Sequence, residues 1–98
     1  MNAYERLLKY VVIRTPSNEE SETTPSSQCQ FDLANVLKKE MEELGICNVT
    51  LTDTCFLYGK IPATSGCENA PAIGFIAHMD TVSDYCDHDI KPMITENY

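Results

Sequence analysis

The chain has 98 residues, 43% of them hydrophobic, with seven basic side chains against fifteen acidic ones and a formal net charge of −8. Such an acidic chain with scattered cations argues against nucleic acid or an anionic membrane as a partner, because both reward clusters of Lys and Arg. No stretch approaches the roughly 20 apolar residues that span a bilayer, and the opening Met1-Asn2-Ala3-Tyr4-Glu5-Arg6 lacks the layout of a secretory signal, so a cytoplasmic location is expected.

Tyr4, Leu7, Leu8 and Val11 recur at i, i+3, i+4 and i+7 and predict a helix over about residues 2–14, ended by Thr15-Pro16. Residues 15–26, rich in Ser, Thr and Glu, read as a polar surface loop. Ser27 and Gln30 have capping-box spacing, and Ala34, Leu37, Met41 and Leu44 share one face of a second helix until Gly45 offers a left-handed stop. Lys38, Lys39, Glu40, Glu42 and Glu43 read as its solvated face. Alternation over residues 48–52, a turn at Asp53-Thr54 and a second run over 55–61 predict a strand pair closed by Pro62. After a loop at 63–70, the uncharged run 72–77 predicts a strand buried on both faces, and 92–95 a fourth short strand. The fold class is therefore α/β: a partial layered domain of two helices followed by three to four strands, without internal repeats. The buried strand would carry an unpaired edge unless other strands cover it.

His78-Met79-Asp80-Thr81 follows that apolar run directly, which places His78 at the strand's carboxyl end, where open α/β sheets bind their ligands. A metal-bound imidazole usually gives its other ring N–H to a carboxylate. Asp80 is close enough to take that role, although the same spacing also suits a purely structural pair. A second cluster, Asp84, Asp87, His88 and Asp89, sets Lys91 where a calcium loop wants an oxygen ligand and reads as a solvated loop. Five cysteines, at 29, 47, 55, 67 and 86, form no C-x-x-C. Reduced, mostly packed thiols are expected, with no role for Cys86 at the metal edge. Asn48-Val49-Thr50 has glycosylation spacing, which is idle in a chain without an export signal.

Ala72-Ile73-Gly74-Phe75-Ile76-Ala77-His78-Met79-Asp80-Thr81, with Asp84 and Ile94-Thr95-Glu96-Asn97-Tyr98, resembles the amino-terminal part of the aminotripeptidases called peptidase T, which are dinuclear zinc peptidases. Tyr4 to Val12, Glu42-Glu43-Leu44-Gly45 and Asn48 to Thr52 extend the likeness over nearly the whole chain. The resemblance implies that residues 1–98 are the amino-terminal part of a catalytic, metal-binding domain of zinc-peptidase fold, with no complete second domain. It also implies that His78 is a zinc ligand, that Asp80 is the catalytic-site carboxylate orienting it, and that the polar loop 15–26 lies near the active-site rim. The bridging aspartate, the general base and the other ligands of the two zinc ions would lie beyond Tyr98. A catalytic zinc needs about three protein ligands, so the expected function is that of a fragment, inactive alone, of an enzyme that removes the amino-terminal residue from tripeptides. The partners expected are the tripeptide substrate and the remainder of the catalytic domain. The alternatives are a non-catalytic, peptidase-derived binding module and a related amidohydrolase or deacylase.

Overall fold

The computed structural model describes residues 1–86 and 89–97. Its elements are α1 (Ala3–Val11), α2 (Gln30–Glu43), β1 (Cys47–Leu51), β2 (Leu57–Lys60) and the single turn α3 (Ser83–Cys86). This is a partial α/β arrangement in which two helices precede a two-stranded antiparallel sheet. Among the described residues no helix is long and apolar enough to cross a membrane.

α1 starts where Asn2 leaves the helix and its N–H donates to the Glu5 carboxylate at 2.6 Å. That carboxylate also meets the positive end of the helix dipole. The helix ends at Val11, short of the predicted boundary, as the chain extends toward Pro16. α2 begins without the reciprocal capping box. The Ser27 hydroxyl donates instead to the Pro16 carbonyl at 2.6 Å and accepts from the Gln30 side-chain amide at 3.2 Å, so it ties the loop rather than the helix end. At the other end Gly45 takes φ +82°. Its N–H reaches the Glu42 carbonyl at 3.1 Å and the N–H of Ile46 reaches that of Met41 at 3.0 Å, the paired bonds of a Schellman stop.

Glu40 corrects the reading of a solvated face, because it is only 7% exposed. Arg6, Lys9 and Tyr10 lie at i, i+3 and i+4 on α1 and share a face. Arg6 approaches one Glu40 oxygen at 3.1 Å and Lys9 the same oxygen at 3.0 Å, while the Tyr10 hydroxyl donates to the other. The Tyr10 hydrogen bond, helped by the two cations and opposed by burial, holds the Glu40 carboxyl below its ordinary value. Burial first, and then that same bond, pushes the Tyr10 phenol up.

β1 and β2 pair with Thr50 opposite Tyr58 and Leu51 opposite Leu57, and the register shifts between Cys47 and Thr50. Asn48, in that interval, has φ +54°, as a bulge residue would. The hairpin turn is closed by Thr52, whose N–H donates to the Phe56 carbonyl at 2.9 Å and whose hydroxyl accepts from the Phe56 N–H at 2.9 Å. Cys55 is buried in the turn, and burial raises its thiol pKa. Cys47 and Cys67 are exposed, so the thiols are less packed than expected. The hairpin lies on α2 across Gly59, where an added Cβ would sit 2.4 Å from the Met41 methyl and 2.6 Å from Ile46 Cγ2.

Residues 72–77 form no strand, and neither do 92–95. Ile73 is 80% exposed, Phe75 95% and Ile76 101%, the reverse of the burial that their apolarity predicts. A central strand needs partners along both edges, and this run pairs with neither strand of the hairpin. The core is correspondingly small, with Leu33, Ala34 and Cys55 as its buried hydrophobic residues.

This packing sets the response to substitution and to pH. Glu40→Gln keeps the shape and removes the charge, and should destabilise the docking of α1 by about 1–3 kcal/mol, read as earlier amide exchange in residues 3–11. In the unsubstituted chain, the stabilisation from a lowered Glu40 pKa is present above the ordinary glutamate value of 4.5 and lost as pH falls through the depressed folded value. The stabilisation from Tyr10 is present below its ordinary value of 10.0 and lost as pH rises through the raised one. Gly59→Ala should cost about 1–3 kcal/mol in urea unfolding through overpacking against Ile46.

Candidate metal-ligand turn

In the run His78-Met79-Asp80 the outer two side chains meet each other while the middle one lines a cavity. Met79 turns inward, lining an apolar cavity of about 220 Å³ with Tyr10, Val11, Leu33 and Ile90. His78 and Asp80 turn outward, with side chains 85% and 42% exposed. His78 Nδ1 lies 2.8 Å from the Asp80 backbone oxygen and 3.2 Å from its Oδ1. Both partners accept, and a carbonyl oxygen can do nothing else, so Nδ1 carries the proton. The neutral ring then keeps the lone pair on Nε2, the electron pair that a metal ion would take.

Thr81 anchors the turn. Its N–H donates to the Thr15 carbonyl at 2.8 Å, and its carbonyl accepts from the Ser17 N–H at 2.9 Å and the Ser17 hydroxyl at 3.1 Å. The Thr15 and Thr81 hydroxyls stand 3.4 Å apart. Together these bonds make a one-rung parallel bridge between Pro16 and Thr81. Proline is tolerated there because the rung uses the polar groups of residues 15 and 17. Sequence reasoning treated Thr15-Pro16 only as a helix stop. The local signal was the extended backbone that a proline imposes on its predecessor, but nothing local names Thr81 as the partner.

Among the described residues no group of three His, Cys, Asp or Glu side chains gathers around a metal-sized space. His78 with Asp80 offers one ring nitrogen and one neighbouring carboxylate, fewer donors than a catalytic zinc needs. Asp84 lines a polar hollow with Ser17, Asn18, Glu19 and Glu20. Asp87 and His88, of the second acidic cluster, lie outside the described residues, as do the thiol of Cys86 and Tyr98.

No family model matches the sequence. Curated relatives do: peptidase T of Alkaliphilus oremlandii is 43% identical over 98 residues, covering 99% of this chain and 24% of the relative. Peptidase T of Desulfitobacterium hafniense is 48% identical over 94 residues, 96% of this chain and 22% of the relative. Peptidase T of a Bacillus cereus strain is 39% identical over 94 residues, 96% of this chain and 23% of the relative.

Over 96–99% of its length the chain matches peptidase T. It corresponds to the amino-terminal part and spans about a quarter of the length of the peptidase T relatives it matches. The two helices, the hairpin and the His78 turn all fall inside the matched length.

The bonding of Nδ1 gives a direct check. In protein labelled with ¹⁵N-histidine, with the ring neutral, the Nδ1 resonance of His78 should be that of a protonated nitrogen and Nε2 that of an unprotonated one. Free histidine in the same buffer should show the opposite bias.

Proposed function

We propose that residues 1–98 form the amino-terminal part of the catalytic, metal-binding domain of a zinc-dependent aminotripeptidase, which removes the amino-terminal residue from tripeptides. In this reading the segment is inactive alone and needs the remainder of the domain. The observation that carries the reading is the His78 ring, fixed through Nδ1 by Asp80 with Nε2 left to bind, in a chain matched to peptidase T almost end to end.

His78 would hold one of two zinc ions through Nε2. The chemistry that a bound zinc pair supplies is polarisation of the substrate carbonyl and a water made acidic enough to react near neutral pH. Asp80 keeps the tautomer and the ring plane fixed. Met79, set in the cavity against α1 and α2, keeps the pair from rotating inward. The negative charge of the chain, −8, favours the cationic amino end of a peptide over anionic ligands. Four described cysteines without disulfides fit a reducing, cytoplasmic setting.

In the full-length enzyme, His78→Ala should abolish tripeptide hydrolysis and lower bound zinc. Asp80→Asn should weaken zinc affinity or activity about 10–100-fold. Undiminished hydrolysis in His78→Ala would defeat the proposal and favour a binding module, or a relative with different ligands.

A further inference from the structure

We propose that Thr15 and Ser17 are positioning residues for His78, acting through the peptide unit that joins Asp80 to Thr81. The inference rests on the reading of His78 as a metal ligand and extends it to residues far away in sequence.

In a trans peptide the C=O and the N–H of one unit point in opposite directions within a plane. The Thr81 N–H is held by the Thr15 carbonyl at 2.8 Å. The Asp80 carbonyl of the same unit must therefore point away from Thr15, and there it meets His78 Nδ1 at 2.8 Å. Ser17 fixes the next unit, placing two donors on the Thr81 carbonyl at 2.9 and 3.1 Å. The residues that set the bridge are 64 and 66 positions from Thr81, so this is a tertiary device rather than a property of the turn. It also has little redundancy. The His78 side chain is 85% exposed, and among the described residues its ring bonds run to Asp80, so little packing holds the ring if the peptide plane rotates. Rotation of that plane would take the nearer of the two acceptors from Nδ1, leaving only Oδ1 at 3.2 Å, and so shift the ring toward the Nε2–H tautomer, which cannot bind a metal through Nε2.

The test uses the full-length protein with ¹⁵N-labelled histidine and compares Ser17→Ala, Ser17→Thr and Thr81→Val. Ser17→Ala removes one of the two donors on the Thr81 carbonyl. It should move the His78 nitrogens toward the Nε2–H pattern and weaken zinc about tenfold in chelator competition, the lower end of the range for support residues. Ser17→Thr keeps the hydroxyl and should restore both readings. Thr81→Val keeps every backbone bond of the bridge and should change neither by more than about twofold, since only the 3.4 Å hydroxyl contact is lost. If Ser17→Ala fails to fold, Ser17→Cys, a weaker donor of similar size, should show a smaller shift in the same direction. Unchanged nitrogen shifts and zinc affinity in the folded Ser17 variant would overturn the proposal, as would equal losses in Ser17→Ala and Thr81→Val. The nitrogen shifts are read without metal, so a protein that binds no zinc would fail the proposed function and still decide the role of Ser17.

Discussion

The buried carboxylate of Glu40 is the interaction on which the amino-terminal half depends. α1 buries none of its residues, so apolar packing alone does not fix its place. Its attachment runs through Arg6, Lys9 and Tyr10, which converge on two oxygens of one side chain in α2. A pair buried in this way gains less from attraction than its proximity suggests, because both charges lose water. Its value lies in direction: two cations and a phenol can meet one carboxylate at few helix rotations. That rotation also places Tyr10 and Val11 on the cavity that receives Met79, so the polar cluster reaches the His78 turn through the helix.

The elements read correctly from sequence are those whose signals are local. The periodicity that makes α1 and α2 helical, the glycine at 45 and the alternation around the hairpin turn each depend on residues within a few positions of one another. Even so, Tyr4 and Leu7 on the expected face of α1 and Leu44 on that of α2 stay more than half exposed. Glu40 was misread because a glutamate among lysines on a helix looks like solvent-facing charge. The clue was on the other helix, where Arg6, Lys9 and Tyr10 form a polar stripe beside the apolar one. The run at 72–77 failed for a different reason. Apolarity states what a segment requires of its surroundings, and strand formation depends on which neighbours are there to pair with it; here Phe75 and Ile76 have none.

At the site, the pair His78 and Asp80 was legible because the two residues lie only two positions apart. The hydrogen bond to the Asp80 backbone was not legible, since it depends on a peptide orientation set from Thr15. Thr15 and Ser17 escaped notice because each looks like ordinary loop composition beside a proline. Likeness to peptidase T covers this chain almost completely while reaching only about a quarter of the relatives' length. The match therefore takes in every described element, and about three quarters of each relative lies outside it.

Pro16 has a further effect on how this region can associate. In a parallel rung the central residue directs its own polar groups outward, away from the partner segment. Proline has no N–H to offer there, and its carbonyl is already taken by the Ser27 hydroxyl. The outer side of residues 15–17 is thus closed to strand addition, an edge protected by chemistry rather than by cover. Beyond Thr81, the outward-facing carbonyl of Asp80 is likewise occupied, by His78. The bridge can hold the turn in place without becoming a template on which another polypeptide could extend a sheet past His78 and Asp80.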